Sequence, residues 1–265
     1  MSTNHSFWQD KAGVPGAIRE SPVPSKVADG ELVVKVQAWA VNPADAVILG
    51  EAVAGTIEVV GSVAASKFKI PDSLSFNDAS VFPLCIATAA HGLFSKDYLG
   101  MPFPKVNSTS TGKSVFIWGG SSGVGSNAIQ LCKAAGFEVI TTCSARNFDY
   151  VKSLGADKGA CIGIFKAAGQ VAPACQVAHK SKQKLFVAAS NGAAPECVEA
   201  KMIFASGGAV IYHETSPATF GAFLPEAWSI PARSAGQGSG LEGIQEALDI
   251  LKKGVSAKKI VIEAK

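Results

Sequence analysis

The run Gly119-Gly120-Ser121-Ser122-Gly123-Val124-Gly125 is where residue types and spacing point most directly to chemistry. Glycines there allow a tight turn and let the backbone approach a bulky anion. A helix that follows offers unpaired N–H groups and the positive end of its dipole to a pyrophosphate. Turns use glycine for purely conformational reasons too, so the flanks decide. Before the run stands an apolar strand, Ser114 to Trp118 (SVFIW); after it come a helix from Val124 to Ala135, closed by Gly136, and a second strand from Phe137 to Cys143. Gly120, Ser121, Ser122, Gly123 and Val124 are therefore the candidate cofactor contacts, the last four presenting backbone N–H groups to the pyrophosphate.

The end of the second strand bears on which dinucleotide would fit. An acidic residue about twenty positions past the glycines holds the ribose 2′-hydroxyl of NAD. This chain has Thr142-Cys143-Ser144-Ala145-Arg146 there, with no carboxylate. The Ser144 hydroxyl and the Arg146 guanidinium suit a 2′-phosphate, since arginine binds phosphate in a bidentate fork. The local chemistry favours NADP(H); the plainer reading of Arg146 is an exposed loop charge. A P-loop is excluded, because no Gly-Lys-Ser/Thr follows the glycines at the required spacing. The spacing Gly119-x-x-x-Gly123-x-Gly125 also fits short-chain dehydrogenases, which pair it with a catalytic Tyr-x-x-x-Lys. Tyr98, Tyr150 and Tyr212 are followed four residues on by Pro102, Leu154 and Ser216, so that reading falls.

No metal centre is expected. The cysteines, 85, 132, 143, 161, 175 and 197, include no C-x-x-C pair, and each reads as a small buried hydrophobe. His91 lies on an apolar stretch and reads as a packed core residue. His213 follows a strand, with nothing nearby to complete a relay, and His5 and His179 read as surface residues.

Positioning these groups requires a parallel sheet. A helix from Asn147 to Leu154, stopped by Gly155, completes a β-loop-α-β-α unit of about forty residues, the mark of crossover connections. Further strands are expected at Cys161–Phe165, Lys184–Ala188 and Gly208–Tyr212. Upstream, Glu31–Ala40 and Thr56–Val60 read as strands, and Asn77 or Asp78 as the cap of a helix reaching Phe94. Near the end, Leu241, Ile244, Leu248 and Leu251 recur at helical spacing before a last strand, Lys259–Ile262.

Composition bounds the rest. In 265 residues, 48% are apolar and 17% charged, which excludes a disordered chain. The net charge of +3 is too balanced for a nucleic-acid protein. The longest uncharged apolar stretch, Val81 to Ala90, is about half a membrane span and contains Pro83. The segment MSTNHSFWQDKAG has no apolar core of a secretory signal. A cytoplasmic protein with a small-molecule substrate is expected, as monomer or homodimer.

With these features the chain resembles the medium-chain dehydrogenase/reductase superfamily, in its zinc-independent quinone oxidoreductase and fungal trans-enoyl reductase branch. The matching residues are Asn42-Pro43-Ala44-Asp45, Gly50-x-x-x-Ala54-Gly55, Ala87-Thr88-Ala89, WGGSSGVGSNAIQL from Trp118, NFDYVKSLGAD from Asn147 and GLEGIQEALDILKKG from Gly240. The resemblance implies an α/β fold: a Rossmann-type domain over 108–230, and a GroES-like β-barrel domain built from 1–107 and 231–265. It also implies hydride transfer from NADPH to an activated C=C or C=O. Asn42 would lie beside the nicotinamide and Thr88 near the nicotinamide or phosphates; the plainer readings are a turn cap for Asn42 and a helix-buried hydroxyl for Thr88. Zinc-dependent relatives carry an early Cys and a Gly-His-Glu, where this chain has Asn-Pro-Ala-Asp and Gly50-Glu51-Ala52. No proton donor is identifiable. Relative to the family pattern, segments are missing at Val47-Ile48, at Lys69-Ile70 and after Lys158, which truncates the barrel. Two other classes therefore stay open: a non-catalytic NADPH-binding remnant and a non-functional truncated product.

Overall fold

The computed structural model describes residues 4–11, 14–23, 27–42, 45, 53–60, 75–157, 161–166, 171–180, 187–189, 199–203, 215, 219 and 234–265. The three junctions at which segments are expected to be missing lie outside these residues, as do Gly50–Ala52, the strand expected at 208–212, and His213. The chain divides into two compact units, Met1–Pro83 with Ala232–Lys265, and Leu84–Pro231.

The second unit holds a five-stranded parallel sheet: β5 (Ser114–Trp118), β6 (Glu138–Thr142), β7 (Cys161–Lys166), β8 (Val187–Ala189) and β9 (Ala200–Met202). Its order is β6-β5-β7-β8-β9, so the chain leaves β5 first to one side and then to the other. That reversal, at the carboxyl ends of β5 and β7, is where a doubly wound sheet opens a crevice for a ligand. Residues 114–117 of β5 are buried, which explains the unbroken apolar run in place of an alternating one. Among the described residues β6 is an edge.

Helix α2 (Phe82–Phe94) is apolar and small-residue-rich on all sides and buried almost throughout, as such a composition demands. It follows a short α1 (Phe76–Ser80) whose cap is Ser75, with the Asp78 N–H donating to its hydroxyl. The cap expected at Asn77 or Asp78 is thus displaced: Ser75 precedes the turn and accepts, while Asp78 sits inside it. Helices α3 (Gly123–Ala134) and α4 (Phe148–Ser153) follow β5 and β6. Helix α5 (Val171–Lys180), not foreseen, packs Ala174, Cys175 and Ala178 against Phe116, Val187 and Ala189.

The first unit contains a hairpin, β1 (Asn4–Trp8) with β2 (Ala17–Ser21), and a four-stranded sheet in the order β10-β11-β3-β4. Its strands are β3 (Leu32–Val41), β4 (Val53–Val60), β10 (Ser234–Ser239) and β11 (Lys259–Glu263). The helix α6 (Gly243–Lys253) buries Ala247 and Leu248 with Val41, Ile260 and Ile262. Among the described residues this sheet ends at β4 and β10 without closing. The exposed Ile57 and Val59 lie on the β4 edge, and the skip of Glu58 in the register with β3 marks a bulge there. Bulges of this kind twist an edge away from further pairing.

Candidate functional site

Between β5 and α3 the chain turns at Gly119, whose φ of +84° lies in the left-handed region that glycine enters without strain. Ser122 caps α3: its hydroxyl donates to the Gly119 carbonyl (2.8 Å) and accepts the Gly125 N–H (3.0 Å). A strand end and a helix start are thereby fastened by one side chain. From the next strand, Thr142 takes the Gly119 N–H on Oγ1 (3.0 Å) and the Gly120 N–H on its carbonyl (2.9 Å).

The glycines are required by space as well as by conformation. A Cβ on Gly125 would strike the Gly119 carbonyl and come within 2.8 Å of the Gly120 Cα. One on Gly120 would strike Thr141 Oγ1, and one on Gly123 would stand 2.9 Å from Cys85 Sγ. The N–H groups of Ser121, Gly123 and Val124 have no acceptor among the described residues, and Gly123 is exposed. Unpaired donors at the start of a 12-residue helix are groups that could hold an anion.

Across the loop lies the segment leaving β6. Ser144 and Arg146 are exposed, and no described residue pairs with the Arg146 guanidinium. Between Thr141 and Asn147 there is no carboxylate to compete for it. Asn147, which ends the 3-10 turn Ala145–Asn147, is buried and donates from Nδ2 to Ser121 Oγ (3.2 Å). The structure therefore brings together Gly120, Ser121, Ser122, Gly123, Val124, Ser144 and Arg146. It adds Thr142 and Asn147, whose roles the sequence did not reveal. The one available signal was a hydroxyl and an amide flanking an otherwise exposed stretch.

The remaining candidates are placed differently. Asn42 belongs to the first unit and is 1% exposed. Its N–H donates to Asp45 Oδ2 (2.6 Å), its Nδ2 to the Ala40 carbonyl (3.1 Å), and its Oδ1 accepts from the Lys259 ammonium. This is the hydrogen bonding of a turn cap. Thr88 is buried in α2 and donates back to the Leu84 carbonyl (2.8 Å), as a hydroxyl inside a helix does. His5 and His179 are exposed. Cys132 is fully buried, which pushes its thiol well above the ordinary range, away from nucleophilic chemistry.

His91 is a buried core residue in α2. Its Nδ1 has no hydrogen-bond partner among the described residues, and its ring meets Tyr98 edge-on at 5.1 Å between centroids. Burial lowers its pKa below the ordinary 6.5; Asp97 opposes and the Lys201 ammonium adds to the shift. A histidine whose pKa falls on folding destabilises the protein when it must be charged. Stability is full above the unfolded value of 6.5 and is lost as pH falls below it toward the folded value. Thermal melts from pH 7.5 down to pH 5 should show a falling midpoint, and a His91→Leu variant should flatten that fall. Parallel pH profiles of the two proteins would assign the acid sensitivity elsewhere.

No helix among the described residues is long and apolar enough to cross a membrane, and no three described His, Cys, Asp or Glu side chains cluster as metal ligands. No protein-family model matches the chain. Relatives do. The dehydrogenase orf1 of Aspergillus niger is 35% identical over 340 aligned positions, covering 94% of this chain and 97% of that protein. The trans-enoyl reductase himH of Aspergillus japonicus is 32% identical over 335, covering 98% and 97%. Both spans exceed the 265 residues of this chain, so each relative carries residues inside the match that are missing here. Among solved structures, the quinone oxidoreductase from Thermus thermophilus, described with its NADPH complex, superposes with a TM-score of 0.69 at 16% identity, covering 98% of this chain and 100% of that one. A Rossmann-type parallel sheet, a glycine cradle at its switch point and full-length relatives at this identity converge: the chain belongs to the medium-chain dehydrogenase/reductase superfamily of oxidoreductases, alongside the fungal dehydrogenases and trans-enoyl reductases.

Proposed function

We propose that the chain binds NADP(H) and reduces an activated C=C or C=O of a small molecule, such as an enoyl thioester, an enone or a quinone, without zinc. The observation that carries this is the turn at residues 119–125: the N–H groups of Ser121, Gly123 and Val124 have no acceptor among the described residues, and Gly120, Gly123 and Gly125 stand where an added Cβ would strike neighbouring atoms. These residues fit a pyrophosphate, and the exposed Ser144 and Arg146 fit a 2′-phosphate. When bound, NADPH supplies the hydride, and the protein supplies orientation and a fixed polar environment. The zinc-free reading rests on the Asn42–Asp45 turn. Its amide and carboxylate bond each other and the Lys259 ammonium, whereas a catalytic zinc takes thiolate and imidazole.

A second reading, cofactor binding without turnover, is favoured by one observation: the relatives carry residues within the matched span that this chain lacks. One experiment separates the readings. The purified chain is titrated with NADPH and with NADH, followed by fluorescence and thermal shift, and then assayed for NADPH oxidation with a quinone, an enone and a short enoyl thioester. NADPH-selective binding with turnover of one acceptor supports the reductase. Binding without turnover of any of the three supports the second reading. Binding of neither cofactor overturns both.

A further inference from the structure

We propose that Asn147 is a positioning residue for cofactor selectivity, setting the spacing between the pyrophosphate cradle and the 2′-phosphate anchor; this rests on the NADP(H) reading above. Within the segment leaving β6, Ser144, Ala145 and Arg146 are exposed and Asn147 alone turns inward, 6% exposed. Two of its bonds point in different directions. Its backbone N–H donates to the Ser144 carbonyl (2.8 Å) and closes the turn that carries Arg146. Its side-chain Nδ2 donates to Ser121 Oγ (3.2 Å), on the residue whose own N–H lines the cradle. At the other end of the segment, Thr142 takes the N–H groups of Gly119 and Gly120. The stretch 143–146 is thus tied to the glycine loop at both ends, by Thr142 and by Asn147.

The consequence is selective. A dinucleotide with a 2′-phosphate presents two anionic groups at a spacing its own covalent structure restricts. Two anchors already held at that spacing bind it without an ordering cost, whereas anchors that drift independently must be ordered on binding. NADH presents only the pyrophosphate, so it gains little from the tie. Asn147 therefore acts through Ser121 and the 144–146 turn and needs no contact of its own with the cofactor.

The test is a double-mutant cycle on the full chain with Asn147→Ala, Ser121→Ala and the double variant, each titrated with NADPH and NADH. Ser121→Ala keeps the backbone N–H of the cradle and removes only the hydroxyl, and Ser121 is partly exposed, so this variant keeps the question open should Asn147→Ala fail to fold. Each single variant should weaken NADPH binding about tenfold, the worth of one hydrogen bond, and NADH binding less than about threefold. The double variant should match the singles, because both remove the same bond. Wild-type NADPH selectivity in Ser121→Ala, or equal losses for both cofactors, overturns the tie while leaving the NADP(H) reading in place. A wild-type chain that binds neither cofactor removes the reading itself.

Discussion

Replacing Gly125 by alanine is expected to cost about 1–3 kcal/mol of stability in the second unit and to weaken NADPH binding at least tenfold. The added methyl meets backbone on two sides, the Gly119 carbonyl and the Gly120 Cα, and neither can rotate away. The start of α3 must then lift from the end of β5, which stretches both bonds of the Ser122 hydroxyl and carries the cradle N–H groups with it. Gly123→Ala is the informative contrast. Its methyl faces only the Cys85 sulfur at 2.9 Å, a side-chain atom that can yield, so the melt should hardly move. The same methyl stands at an exposed position among the unpaired donors, so cofactor affinity should still fall. Thermal melts and NADPH titrations of both variants check this. Equal stability losses would mean that α3 packs on β5 less closely than the structure has it.

What the sequence disclosed about this site follows from where its signals are local. The buried strand 114–118, the glycine run and the second strand form one contiguous pattern, each part constraining its neighbour through hydrogen bonds that span few residues. Helix and strand limits there fall within one residue of those read from the sequence. Helix α5 was missed because Pro173 and a run of small residues mask its period, while its packing partners Phe116 and Val187 lie on distant strands. The hairpin β1–β2 was missed for a related reason: most of its residues are exposed, so no alternation marks it. Strand β10 (SAGQGS) has almost no strand propensity and is held by its parallel pairing with β11.

The functional roles divide the same way. The unpaired N–H groups of Ser121, Gly123 and Val124 were legible because only glycine spacing is needed to expose them, whereas those of Gly120 and Ser122, also candidates, are taken by the Thr142 and Gly119 carbonyls. Asn147 reads in the sequence as the start of a helix within a resembling stretch, since nothing in one dimension says that its amide reaches back 26 residues to Ser121. Thr142 is the same case at 23 residues. Asn42 went the other way. The sequence offered both a turn cap and a nicotinamide neighbour, and in the structure its amide oxygen and N–H groups bond Lys259, Asp45 and Ala40.

Arg146→Ala should weaken NADPH binding by about 10- to 150-fold, the range of a hydrogen bond to a charged group, and leave NADH binding and the thermal melt unchanged. Arg146 is exposed and no described residue pairs with its guanidinium, so removing it leaves no buried charge unpaired. The selectivity should also depend on pH in a definite direction. A phosphate monoester loses half its second charge near pH 6, so the NADPH-to-NADH affinity ratio should narrow below that value in the wild type and stay flat in Arg146→Ala. Added salt should narrow it as well, because Arg146 lies at the surface, where ions screen its charge. Arg146→Glu goes further: it repels the 2′-phosphate and sets a carboxylate close to where NAD-specific sheets hold the ribose 2′-hydroxyl, so NADH should become the preferred cofactor. A wild-type ratio that Arg146→Ala leaves intact would return Arg146 to a solvated loop charge, and the 2′-phosphate would then have to be read by Ser144 and the neighbouring backbone alone.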